Sequence, residues 1–257
     1  KGEGLNLSLD YRNQWRSIPG SPVTGSLTAD YRFPNRVGVG LKVYNEKAGL
    51  IGRTKVAGTY AYHLPLKESG EELHFGLSLG ILNDKLDYPN IIGEESDLVA
   101  AGYNNQGLYL DGDFGVVYTN KRLVIEGAIP NMKRFFGNDI RGSIAASTMY
   151  LAVAYEIGMN LDAVKVEPKA AYQGASGMES IWHMGAKMTF LNDLVSFTSI
   201  FHSSNSSTFG FGVHYQNYTF QSFYTSQTAA NREPTGNTFE IGLRAHLPQL
   251  KKERMFP

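Results

Sequence analysis

The chain has 257 residues, with 24 basic and 24 acidic side chains and a formal net charge of zero at pH 7. Without an excess of Lys or Arg to displace phosphate counterions it is no general nucleic-acid binder, and without cysteine it has no disulfide framework, thiolate metal site or thiol nucleophile. Only 19% of residues are charged, while 28 glycines, 15 tyrosines and 14 phenylalanines tilt the composition towards β structure.

No run approaches the roughly 18 apolar residues of a membrane-spanning helix, which excludes a helical membrane protein. A membrane barrel stays open, because its strands alternate and form no long apolar block. The N-terminus, Lys1-Gly2-Glu3-Gly4, lacks the basic, apolar and small-residue order of a signal peptide.

Strict alternation dominates from end to end. Val37, Val39, Leu41 and Val43 oppose Gly38, Gly40 and Lys42; Leu73, Phe75, Leu77, Leu79 and Ile81 oppose His74, Gly76, Ser78 and Gly80. Residues 144–157 are the most helix-like stretch, yet Leu151, Val153, Tyr155 and Ile157 keep the period of two. Trp182 to Phe190, Phe209 to Tyr215 and Phe239 to Leu247 repeat the pattern. Successive side chains of a strand point to opposite faces, so each segment carries one apolar face and one polar or glycine-rich face.

This predicts about fourteen strands, at 5–11, 22–33, 36–44, 54–64, 72–82, 105–118, 121–128, 141–156, 160–172, 180–190, 193–202, 207–216, 219–227 and 237–248. Nearly every odd-numbered connection is longer than its even neighbours. Sequentially joined antiparallel strands place these two sets at opposite ends, as in outer-membrane barrels with short periplasmic turns and long external loops. Both termini then lie on the short-turn side. The alternatives are a soluble lipocalin-like barrel and a β-sandwich with a polar outside. The expected architecture is a single transmembrane antiparallel β-barrel domain over 1–257, with 249–257 as a polar tail.

The apolar face carries almost no charge, as lipid contact demands. The lumen-facing set is predicted to include Lys42, Lys165, Glu167, Lys169, Lys187 and Arg244, with His74, His183, Glu240 and His246. No HExxH, P-loop, GxSxG or dinucleotide glycine pattern is present. Asp111 and Asp113 offer two carboxylates, short of a calcium shell, and read as a strand irregularity. His202 beside Ser203, Ser204, Ser206 and Ser207 reads as a hairpin turn, since a Ser-His dyad needs an orienting third group and an oxyanion hole. No cofactor is implied.

One local sequence goes beyond pattern. Tyr11-Arg12-Asn13-Gln14-Trp15 is followed by Ile18-Pro19-Gly20-Ser21-Pro22-Val23-Thr24, Tyr44-Asn45-Glu46-Lys47-Ala48-Gly49-Leu50 and Leu73-His74-Phe75-Gly76-Leu77-Ser78-Leu79-Gly80. In that order these segments resemble the PorP/SprF family of outer-membrane proteins from the type IX secretion and gliding-motility system of Bacteroidota. The resemblance is dense over residues 5–80 and thin from there to Thr238-Phe239-Glu240-Ile241-Gly242-Leu243, which is similar to the family's final strand. An Asn-Pro-Ala segment expected before the first strand is absent, which suggests that an N-terminal part of the mature protein is missing.

Arg12, Asn13, Gln14, Trp15 and Pro22 carry a structural reading: Trp15 ends the first strand at the outer interface, and Pro19-Gly20 with Pro22 forms a turn. Asn45 to Gly49 is expected to be a hairpin loop. The resemblance implies a non-enzymatic secretion subunit that docks periplasmic ring components, a secreted surface adhesin, or both. Two connections long for their side are the expected contacts: Lys67, Glu68, Glu71 and Glu72 on the periplasmic side, and Tyr88, Glu94, Glu95 and Tyr103 in the outer loop 83–104. The alternative is an autonomous channel or transporter for small solutes, because fourteen strands enclose more space than eight. A lipid-modifying barrel enzyme is a weaker third.

Overall fold

Alternating sequence becomes alternating wall. The computed structural model describes residues 3–16, 18–67, 70–87, 104, 107–132, 148–159, 164–175, 179–227 and 236–248. In chain order the strands are β1 (Gly4–Asn13), β2 (Val23–Arg32), β3 (Val37–Ala48), β4 (Ile51–Lys67), β5 (Glu71–Leu86), β6 (Tyr109–Thr119), β7 (Leu123–Ile129), β8 (Thr148–Tyr155), β9 (Ile157–Met159), β10 (Val164–Ala175), β11 (Ile181–Phe190), β12 (Val195–His202), β13 (Ser206–Tyr215), β14 (Tyr218–Gln227) and β15 (Thr238–Pro248). Only Glu156 separates β8 from β9, and both pair with β10, so together they form one crossing and the barrel has fourteen.

Every strand pairs antiparallel with its chain neighbours, and β1 pairs with β15 from Gly4↔Pro248 to Asn13↔Phe239. That last seam closes the sheet. Closure satisfies the ladder without water, which the hydrocarbon of a bilayer cannot supply.

The molecule is inside out. Its buried apolar residues are small or few, chiefly Ala57, Leu82, Ala152, Ala154 and Ala171, all on the inner wall. Most of its large apolar residues face outward: Leu79 is 67% and Phe201 62% exposed. On β5 the outward row Leu73, Phe75, Leu77, Leu79, Ile81 is followed by Asn83 and Lys85. Residues 73–81 cover about 26 Å along the strand, or about 20 Å along the membrane normal at the tilt of such strands, most of the ~25 Å apolar band of outer-membrane barrels. Phe33, Tyr62, Tyr155, Tyr215 and Tyr218 ring its short-turn side, and Tyr11, Trp182 and Tyr224 its long-loop side, where amphipathic rings suit the headgroup level.

The predicted asymmetry of connections is present, with two corrections. At the periplasmic end the connections are 33–36, 68–70, 120–122, 160–163, 191–194 and 216–217; the other end holds the long 14–22, 87–108, 130–147 and 228–237 and three short ones, 49–50, 176–180 and 203–205. Of the expected hairpin loop at Asn45–Gly49, Asn45 to Ala48 is instead strand: β3 runs to Ala48 and β4 starts at Ile51, leaving a two-residue turn in which Gly49 takes a φ of 59°. The connection expected to be long around Lys67–Glu72 is only residues 68–70. The register shift between Pro65 and Lys67 explains this second miss. A proline has no N–H for the ladder and is tolerated at a bulge, so it breaks the pattern without ending the strand. The predicted strand 141–156 is described only from Thr148, and the tail 249–257 lies outside the described residues.

Glycines set how closely neighbouring strands approach. A Cβ on Gly185 would overlap the Ser199 carbonyl oxygen and lie 2.8 Å from Ile200 Cα, whereas one on Gly210 would meet the Phe223 ring. The backbone cannot turn aside; a ring can. Gly185→Ala is therefore expected to cost about 1–3 kcal/mol in guanidinium unfolding from lipid vesicles. Phe223→Ala should rescue Gly210→Ala and leave Gly185→Ala unrescued; equal rescue of both would refute the close-approach account.

Candidate functional site

The outer rim is built around the 14–22 connection. Gln14 N donates to Pro22 O at 2.9 Å, closing the loop on itself, and Ile18 N and Ser21 N donate to Trp15 O and Ile18 O. Trp15, with φ 55°, and Gly20, with φ 75°, make the two reversals. The same connection is stitched to its neighbours: Gly49 N donates to Gly20 O at 2.7 Å, and Arg16 N to Asn237 O at 3.2 Å. A third stitch, Asp87 N to Leu50 O at 2.7 Å, ties the start of the 87–108 connection to the β3–β4 turn. Together these three bonds join the bases of four outer connections.

Arg12 points into the lumen and pairs with Glu240 across the closing seam, 3.0 Å apart and well exposed to water. Asn13 ends β1 with its side-chain oxygen buried and without a hydrogen-bond partner among the described residues. Trp15 sits two residues beyond β1 and is 38% exposed.

Inside, ion pairs hold the wall in sectors. Arg53 grips Asp84 through Nε at 2.7 Å and Nη2 at 2.9 Å, and Tyr109 Oη donates to the same carboxylate at 3.0 Å. Lys55 Nζ lies 2.7 and 2.8 Å from the two oxygens of Asp113, which also accepts from Asn131 N. Asp113 is therefore committed to a lysine rather than to a metal ion. Near the short turns, Arg32 donates to both oxygens of Glu72, at 3.2 Å each, and Glu72 lies 3.6 Å from His74 Nε2. Lys67 and Glu71 form an exposed contact at 3.4 Å across the turn.

Two histidine pairs face the lumen. His63 and His74 meet through Nδ1 at 2.7 Å near the periplasmic end, and His183 and His202 through Nδ1 at 2.6 Å near the outer end. Because one Nδ1 of each pair must donate and the other accept, each contact needs a neutral ring. His202 Nε2 contacts Thr208 Oγ1 at 2.7 Å, so its ring is engaged with His183 and Thr208. No cluster of three or more metal-ligating side chains exists among the described residues.

The predicted lumen set lies on the inner wall. Lys42 stands 5.7 Å over the Tyr44 ring, Lys165 contacts Asp193 at 2.7 Å and Lys169 contacts Glu126 at 3.0 Å. Lys187 and Arg244 have no ion-pair or hydrogen-bond partner among the described residues. Glu68, Tyr88, Glu94, Glu95 and Tyr103 lie outside the described residues. Sequence reasoning missed Arg53, Lys55, Asp84 and the histidine pairing. The inward parity of Ala57 and Thr59, continued back to Arg53 and Lys55, was the signal that would have found the first two.

A family model described as "Type IX secretion system membrane protein PorP/SprF" matches residues 1–245. No curated protein matches the chain. Among solved structures the chain is similar to the outer-membrane protein Omp33 of Acinetobacter baumannii, with a TM-score of 0.56 and 7% identity over 95% of this chain and 98% of that one. It is also similar to the toluene transporter TbuX of Ralstonia pickettii, with a TM-score of 0.52 and 12% identity over 96% and 90%. At such identities the likeness shows the fold alone: a closed barrel of the outer-membrane type.

Proposed function

The chain belongs to the PorP/SprF family of type IX secretion system membrane proteins, and from that premise we propose that it is a non-enzymatic docking subunit in the outer membrane. Its partners are periplasmic ring components of the secretion machine, a secreted surface adhesin, or both. The family match carries this reading. The stitched outer rim supports it, because a partner that docks on pre-ordered backbone loses less freedom on binding. The long 87–108 connection, with Tyr88, Glu94, Glu95 and Tyr103, is the proposed surface contact. Lys67, Glu68, Glu71 and Glu72 are the proposed periplasmic one, offered now on charge rather than on length.

A native pull-down of the tagged barrel from gently solubilised outer membranes tests this. Mass spectrometry is expected to find ring components or a large surface protein. Replacing residues 88–103 with a minimal turn should release the surface partner while leaving a folded barrel. A barrel recovered alone from the parent strain sinks the docking reading and favours a channel, which lumen cavities lined by Lys187 and Arg244 would serve. Steady single-channel current from the purified protein would then identify that alternative.

A further inference from the structure

Two cavities lie end to end along the inner wall of β10–β15, of about 440 Å³ on the outer side and about 330 Å³ on the periplasmic side. Glu167, Lys187, Gln221 and Arg244 line both, so these four mark the junction. The junction itself carries unequal charge. Lys169 is committed to Glu126 and Lys165 to Asp193. Lys187 and Arg244 have no ion-pair or hydrogen-bond partner among the described residues. Glu167 faces Lys187 directly across the β10–β11 ladder without forming an ion pair. Among the four junction residues two cations therefore face one carboxylate; Glu156 lines only the periplasmic cavity, and Asp10 only a neighbouring one that Arg244 shares with Arg12 and Glu240.

The outer cavity is not purely polar. Phe223 and Ile200 supply apolar surface beside the Gln221 amide and the Thr198 hydroxyl. A volume of this order suits a small ligand held by a few polar groups on an otherwise apolar wall. We propose that the junction binds a small organic monoanion, its carboxylate between Lys187 and Arg244 and its apolar end against Phe223 and Ile200. Gln221 offers an amide N–H to the same group, and Glu167 limits the site to a single added negative charge. The site stands independently of the docking reading: either is able to fail alone.

Isothermal titration of the barrel in nanodiscs, with benzoate as the probe, tests the assignment. Benzamide and benzylammonium keep the ring and change the charge. Benzoate is expected to bind saturably, more weakly as salt rises, and neither comparator should match it. Lys187→Met with Arg244→Met should weaken benzoate about tenfold or more, and Glu167→Gln should tighten it about threefold. Heat-modifiable gel migration reports folding, and if the double variant does not fold, the Glu167→Gln result decides. Absence of saturable benzoate binding, equal binding of benzamide, or no change in the folded variants overturns the site.

Discussion

Replacing Leu77 with arginine is expected to cost about 2–4 kcal/mol of barrel stability in a bilayer, as charged residues do at the midplane of a lipid-facing wall. Leu77 is the middle member of the outward row from Leu73 to Ile81, set between Tyr60 on β4 and Phe114 on β6. Its side chain is 44% exposed, and what it meets there is acyl chain. From that position an arginine has roughly half the band to cross in either direction before its guanidinium reaches water. A lysine on the inner face has no such problem: Lys42→Gln removes a water-exposed charge and should change stability by at most ~0.5 kcal/mol. Refolding into phospholipid vesicles, followed by heat-modifiable migration across a urea series, compares the two. Equal effects would mean that the outward face does not meet lipid, and the membrane assignment would fall.

The same comparison explains what the sequence could and could not reveal. Alternation is a record of the bilayer as much as of the strand. Where both faces have different solvents, as from Leu73 to Ile81, period two is plain and the strand is legible. Above the apolar band both faces meet water, the contrast fades, and the strand continues unseen. Asn45, Lys47 and Thr54 face outward there, and Asn45 Nδ2 donates to Thr54 Oγ1 at 3.0 Å across β3 and β4. For want of contrast that polar run reads as a loop in the sequence. Strand β4, at 17 residues, extends past the band at its outer end for this reason and past Pro65 at the other because a bulge absorbs the missing N–H.

The lumen set was legible for a complementary reason. Lys165, Glu167 and Lys169 lie within the contrasting part of β10, where parity alone fixes the face. Their partners were not legible. Glu126 and Asp193 come from a distant strand and a turn, and only the closed register brings them to Lys169 and Lys165. The motif around Trp15 announced a family and concealed its work: backbone bonds from Gly49 and Arg16 tie it to segments far along the chain, and no side-chain pattern encodes them.

Arg53→Met is expected to be the most damaging change inside the barrel, at about 3–5 kcal/mol. Arg53 and Asp84 are 16% and 9% exposed, joined by two hydrogen bonds, so loss of the guanidinium leaves a carboxylate enclosed without its counter-charge. Arg53→Lys should fall between, because an ammonium keeps the charge and loses the fork. Removing both charges with Arg53→Met and Asp84→Leu should cost less than Arg53→Met alone, since nothing charged is then stranded. The pair lies where β4 and β5 stand above the apolar band, next to the Asp87–Leu50 stitch from which the 87–108 connection departs. Its failure should loosen that base, so Arg53→Met is expected to weaken capture of a surface partner without touching the loop, and the double variant to recover part of it. Guanidinium unfolding from vesicles measures the first effect and quantitative pull-down the second. A double variant as unstable as Arg53→Met would mean that the pair acts through packing rather than charge, and an unchanged pull-down would detach the rim from the docking surface.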